Sequence, residues 1–214
     1  MNIKVFTFNP FQENTYVVYD ESKEAVIIDP GCSNELECQE LKAFIEDNEL
    51  VPVMLLNTHC HIDHVFGWEY IYETWGLKPY YHTLDKVLLP RVGEQAKMFG
   101  FELSAFPEDY GHEISESEKI QFGNTSMDIY LCPGHAPGHL VFHHEPTNVC
   151  IVGDVIFRLS VGRTDLPYCD PNALESSIKN VIYKFSDNCT LYPGHGPSTT
   201  VGFEKKNNPF VRSI

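Results

Sequence analysis

Apolar positions in this chain come in short blocks, and most of the blocks have the length and composition of strands. Residues 3–8, 15–19 and 25–28 alternate or run apolar with β-branched and aromatic side chains, which predicts three opening strands. Residues 34–48 carry Leu36, Leu41, Phe44 and Ile45 on an otherwise acidic stretch, the pattern of an amphipathic helix lying on a sheet. Pro52 restarts the chain as a strand whose apolar run covers 53–56. Residues 65–75 repeat Val65, Trp68, Ile71, Tyr72 and Trp75 at helical spacing and are expected to face the core. A short strand at 79–82 and a helical stretch at 83–100, broken near Pro90, come next. Residues 101–112 have no period and read as a surface loop or as a lid.

A second group of strands is predicted at 119–122, 125–131, 140–144, 149–152 and 189–191. Residues 170–185 open on Asp-Pro, a good helix start, and keep Leu174, Ile178, Val181, Ile182 and Phe185 on one side; residues 199–208 predict a short last helix. Because strands come in runs instead of alternating one for one with helices, the pattern suggests two sheets packed face to face with helices outside, an α/β (α+β) class, in preference to a doubly wound parallel fold. Without an internal repeat, linker or low-complexity tract, residues 1–214 read as a single domain.

The densest chemistry follows the 53–56 run, in Thr58-His59-Cys60-His61-Ile62-Asp63-His64. In an extended segment alternate side chains share a face, so His59 and His61 converge while Cys60 turns away. Asp63 and His64 stand where a helix should begin and face a second point beside the first. Each of three further donors follows a short apolar run and a glycine or proline: His135 in Pro133-Gly134-His135, Asp154 after Gly153, and His195 in Pro193-Gly194-His195. That places them in loops at strand ends, where sheets that combine strands and helices bind ligands. Five imidazoles and two carboxylates suffice for two divalent ions. A carboxylate spans ions about 3.5–4 Å apart, which makes Asp154 the shared ligand. One ion is then expected on His59, His61, His135 and Asp154, the other on Asp63, His64, His195 and Asp154, with Asp63 and Asp154 acting beside a metal-bridging hydroxide.

Composition narrows the possibilities. The formal net charge of −15 becomes −11 with two divalent ions (−15 + 4), which weighs against a nucleic-acid partner because such partners need basic patches. Seven cysteines without paired spacing read as buried thiols in a reducing compartment, so a cytoplasmic protein without a membrane span or signal peptide is expected. Zinc is the first choice of metal, and a site of imidazoles and carboxylates also accepts iron or manganese.

These motifs, with Pro133-Gly134-His135-Ala136-Pro137-Gly138-His139, Gly153-Asp154-Val155-Ile156-Phe157, Gly162-Arg163-Thr164-Asp165 and Tyr192-Pro193-Gly194-His195-Gly196-Pro197, resemble the metallo-β-lactamase fold hydrolases, and among them the glyoxalase II (hydroxyacylglutathione hydrolase-like) type. The resemblance runs to Asn208-Pro209-Phe210. It implies an αββα sandwich of two mixed sheets and the hydrolysis of a small-molecule thioester such as a hydroxyacyl-glutathione. It also implies that Asp29, in Asp29-Pro30-Gly31, supports the metal loop, although the same residue reads equally as a plain turn. His139, Arg163 and Asp165 are further supporting candidates; Asp165 could hold the second nitrogen of a ligating imidazole, while Arg163 is expected to pair with an acid. Glyoxalase II proper carries an additional C-terminal helical region with basic residues for glutathione, whereas this chain ends shortly after Phe210, which leaves the thiol carrier open. The alternatives are a mononuclear-iron persulfide dioxygenase, which shares Gly162 to Asp165 but departs from the two Pro-Gly-His motifs present here, a metallohydrolase for another ester or lactone, and a non-catalytic metal-stabilised binding module.

Overall fold

The computed structural model describes residues 1–107 and 109–212. They fall into two units, Met1–Ile114 with Gln121–Thr125, and Ser115–Ile120 with Ser126 onward. The first contains β1 (Asn2–Phe8), β2 (Glu13–Tyr19), β3 (Glu24–Ile28), α1 (Glu35–Asp47), β4 (Val51–Leu56), α2 (Trp68–Trp75), β5 (Pro79–Tyr81), α3 (Val92–Met98) and β6 (His112–Glu113). Strands β1 to β6 form one sheet in sequence order, antiparallel through β3 and parallel from β3 onward. The change of sense follows from the connections: parallel neighbours need a crossover, which α1 supplies between β3 and β4 and α2 between β4 and β5.

Helix α1 starts where Asn34 accepts a hydrogen bond from Glu37 N, and it buries Cys38, Leu41 and Ile45. Leu36, expected on that face, is 83% exposed. It lies five residues before Leu41, roughly 140° around the helix, so spacing sets the two on different faces. Tyr72 is likewise exposed next to buried Ile71. Pro90 ends a 3-10 stretch, Thr83–Arg91, and α3 begins directly after it. The unpatterned residues 101–112 contribute to the core, because Phe106 is buried with its ring centroid 4.9 Å from those of both Trp68 and Tyr110; residue 108 lies outside the described residues.

The second sheet uses β7 (Lys119–Phe122), β8 (Thr125–Leu131), β9 (Leu140–His144), β10 (Val149–Gly153), β13 (Thr190–Pro193) and β14 (Thr199–Thr200), in the order β14-β13-β10-β9-β8-β7. Between β10 and β13 lie a small hairpin, β11 (Ile156–Phe157) with β12 (Ser160–Val161), which was not expected, and α4 (Pro171–Asn180). Asp170 caps α4 by accepting from Asn172 N and Ala173 N. The helix expected to run to 185 ends at Asn180 with Val181 as its cap, and the 3-10 turn Ile182–Lys184 brings Ile182 and Tyr183 into the core beside Ile178, Val152 and Leu191. The expected last helix opens with β14 and continues as α5 (Val201–Asn207). Among the described residues no helix is long and apolar enough to cross a membrane, and all seven cysteines are thiols, six of them buried.

Gly134 joins this core to the chemistry. Its φ of 136° lies outside the range of L side chains, a Cβ there would collide with the backbone of Leu174, and its carbonyl accepts from Asp170 N. Gly134→Ala is expected to lower stability by more than ~1 kcal/mol, read as a shift of the urea midpoint; an unshifted midpoint would show that the α4 contact is not tight.

Candidate functional site

In the first unit the ligand-type residues occupy the turn after β4. His59 and His61 rings lie 4.8 Å apart and His59 and His64 rings 4.1 Å apart. His59, His61 and His64 are buried, as is Asp29. Asp29 follows β3 in a left-handed conformation, φ 50°, uncommon for a non-glycine residue and held by its surroundings. Its carboxylate accepts from Thr58 N at 2.7 Å and from Thr58 Oγ1 at 2.6 Å, and it lies 3.1 Å from His64 Nδ1. Having donated its proton to Asp29, Thr58 Oγ1 accepts from His59 Nδ1 at 3.0 Å. The network therefore puts the His59 proton on Nδ1 and its lone pair on Nε2. His64 Nε2 then faces Asp63 Oδ2 at 3.8 Å.

Backbone clamps hold this turn. Asn57 donates to His59 O and His64 O and accepts from the Trp68 indole at 2.7 Å. Buried Asp85 accepts from Cys60 N, and Asn9 Nδ2 donates to Gly31 O and Asp63 O. Glu13 lies fully buried 3.9 Å from His64 Nδ1, and burial pushes its carboxyl well above the usual range. Asn9, Glu13, Asn57 and Asp85 carry no motif that would single them out in the sequence; only Asn57, next to the Thr58 that opens the cluster, could have been suspected.

In the second unit His135, Asp154 and His195 come together. The parallel pairing of β10 with β13 sets Gly153 opposite Pro193, and Gly194 N donates to Gly153 O, so the Asp154 and His195 loops leave the sheet side by side. Asp154 Oδ2 lies 3.5 Å from His135 Nε2 and 3.5 Å from His195 Nε2. His135 Nδ1 donates to Arg163 O at 2.8 Å, which leaves its lone pair on Nε2, facing that carboxylate. His139 Nε2 accepts from Asp154 N at 3.0 Å and fixes the start of the loop. Asp165 does not hold an imidazole: its carboxylate makes a two-contact pair with Arg163, which keeps it below the ordinary range, and both side chains are exposed. The Arg163 carbonyl has the task expected of that acid. Cys169, which the sequence did not point to, donates to His135 O.

In the second unit the His135 lone pair thus faces a carboxylate oxygen at 3.5 Å, and in the first His64 Nε2 lies 3.8 Å from one, both beyond the distance of a good hydrogen bond. That arrangement is repulsive by itself and favourable around a cation, so these donor sets fit divalent metal ions.

A model of the metallo-beta-lactamase superfamily matches residues 8–200, and the chain belongs to that superfamily. Its two mixed sheets and five α-helices among the described residues are those of solved metallo-β-lactamase structures. It is 36% identical to hydroxyacylglutathione hydrolase GloC of Haemophilus influenzae over 100% of this chain and 99% of that protein. Among solved structures it resembles the BLEG-1 B3 metallo-beta-lactamase, with TM-score 0.88 and 32% identity over 99% of this chain and 100% of that one. It also resembles TTHA1623 in a di-iron-bound form, with TM-score 0.86 and 36% identity over 97% and 100%. The chain is a metallohydrolase of this class, with His and Asp clusters suited to divalent metals.

Asp29→Asn keeps the shape of the side chain but removes the charge that orients His64. It is expected to weaken zinc binding ~10–100-fold in a chelator competition. Unchanged affinity would take Asp29 out of the support of this turn.

Proposed function

We propose that the two units act as one dinuclear metal-dependent hydrolase domain that cleaves a small-molecule thioester, with a hydroxyacyl-glutathione as the reference substrate. In this reading His59, His61, His135 and Asp154 hold one ion, and Asp63, His64, His195 and Asp154 hold the other. The observation that carries it is the position of Asp154, one carboxylate oxygen 3.5 Å from each of two imidazole nitrogens, as a shared ligand requires. The GloC likeness over the full chain favours a thioester, and the di-iron form of TTHA1623 favours a pair of ions. Zinc is the metal of first choice and iron or manganese are admitted by the same donors. The expected compartment is a reducing one, such as the cytoplasm.

Bound divalent ions would supply hydroxide at neutral pH and polarise the acyl oxygen. The chain's own part is positional. Thr58 and the Arg163 carbonyl keep protons on Nδ1 of His59 and His135, which leaves their Nε2 lone pairs to ligate, and Asp29 sets a carboxylate charge 3.1 Å from His64 Nδ1. Asp63, beside His64, is the carboxylate placed to orient the nucleophile's proton. A thioester suits a site of this kind because its thiolate leaves without a strong acid.

Asp154→Ala is expected to remove most bound metal and to reduce turnover by more than the ~100-fold that loss of a supporting partner costs. The measurements are elemental analysis and rates on a panel of thioesters, a lactone and a β-lactam. Metal content and rate equal to the parent's would refute the assignment. Oxygen uptake with glutathione persulfide in place of thioester turnover would select the dioxygenase reading.

A further inference from the structure

Four phenylalanines of the first unit gather beside the ligand turn. Phe11, in the loop between β1 and β2, is at their centre: its ring centroid lies 5.0 Å from that of Phe99, 6.1 Å from that of Phe101 and 6.5 Å from that of Phe66, and the Phe66 and Phe101 centroids are 4.6 Å apart. Phe66 is buried, Phe11 and Phe101 are half-buried, and Phe99, which meets Phe11 edge-on, is 56% exposed. A core cluster closes over its rings, whereas this one ends in an open aromatic face.

The backbone builds that face onto the ligand turn. Phe66 follows His64 by two residues. The Asn9 side-chain amide accepts from Phe11 N at 3.0 Å with its oxygen and donates to Asp63 O at 3.1 Å with its nitrogen, so one side chain sets the aromatic loop and the Asp63 backbone in register. On either side of Pro10-Phe11, Asn9 and Gln12 are left-handed, with φ 49° and 58°, which is uncommon for residues other than glycine. Phe99 and Phe101 are fixed at the end of α3, where Gly100 takes φ 80° and Phe101 N donates to Ala96 O at 2.8 Å, and α3 itself runs against the turn Ile62–His64. Three separate segments thus bring their rings to the edge of the turn that carries Asp63 and His64.

Charge selects the occupant. Of the residues that flank the four phenylalanines in sequence, Glu102 alone is charged, and it is an acid. That favours an uncharged apolar group over the carboxylates of an anionic thiol carrier, and an aromatic group gains more than an aliphatic one by lying on other rings.

We propose that Phe11, Phe66, Phe99 and Phe101 are the acyl-binding wall of the site and select thioesters whose acyl group ends in an apolar ring. The proposal rests on the thioester reading above and adds the class of acyl group to it. The open ring of Phe99 is the part of the wall that the acyl group covers.

Zinc-loaded protein is given N-acetylcysteamine thioesters that differ only in the acyl group: acetyl, butanoyl and phenylacetyl. The value of kcat/KM is expected to rise along this series and to be ~10-fold higher for phenylacetyl than for acetyl. Phe99→Ala should lower that ratio ~3-fold or more, whereas Leu36→Ala, at an exposed leucine of α1, keeps the parent's ratio. Calorimetry on an uncleavable thioether gives a reading free of turnover: N-acetyl-S-(2-phenylethyl)cysteamine should bind ~10-fold tighter than its S-ethyl counterpart, and Phe99→Ala should remove most of that preference. Cleavage of all three thioesters at one rate, with equal binding of the two thioethers, would overturn the wall and leave the thioester reading standing. A preference for the phenylethyl thioether that Phe99→Ala abolishes, with no thioester cleaved, would uphold the wall and overturn that reading. A preference unchanged in Phe99→Ala would place the apolar group elsewhere and overturn the proposal.

Discussion

Where the imidazole protons sit is the constraint from which the site follows. A histidine can present either nitrogen, and the neighbours of the other one decide which. Here those neighbours are a carboxylate, a hydroxyl that has already spent its proton, and a main-chain carbonyl. The hydroxyl and the carbonyl accept, so His59 and His135 keep their protons on Nδ1, while the carboxylate sets its charge beside His64. Without those contacts the same histidines could rotate or exchange tautomers, and the His135 lone pair would no longer face the Asp154 carboxylate.

The support has local costs that the fold absorbs. Asp29 is held left-handed so that one carboxylate serves the loop backbone, a hydroxyl and a ring at once. Asp85 and Glu13 are buried carboxyls, tolerable because they accept from Cys60 N and from Thr15 Oγ1. In the second unit Gly162 packs so tightly on the Asp154 carbonyl that a Cβ would overlap it, and Asn208 and Glu204 secure the neighbouring hairpin through Ser160 O and Leu159 N.

The histidine and aspartate motifs were legible because several ligand-type residues crowded after a buried strand have few other uses, and the strand blocks were legible because half-buried strands keep a period of two. The second-unit histidines were harder to rank, since His139 and His195 share a Pro-Gly environment and only the fold shows His139 holding a backbone N–H. The clamps were not legible. Asn57, Asp85 and Asn9 are single polar residues whose partners lie far along the chain or in the main chain, and a single polar residue near a strand end looks like any turn. Asp165 misled because an acid beside a motif is an attractive support, whereas the nearby Arg163 side chain neutralises it at the surface and leaves the carbonyl to do that work. Helix limits failed where the last α turn gave way to the 3-10 turn Ile182–Lys184, and Leu36 failed because composition without phase does not say which face a leucine takes.

The two donor sets differ in how far apart their members are in the chain. His59, His61, Asp63 and His64 fall within six residues of a single turn, so closing one short loop brings them together. His135, Asp154 and His195 span 61 positions and meet only after β8, β10 and β13 have found one another. Pairings over such separations carry the larger loop-closure entropy and form late in folding. The two donor sets therefore make different demands on folding, one needing a short turn and its clamps, the other the completed pairing of three strands of the second sheet.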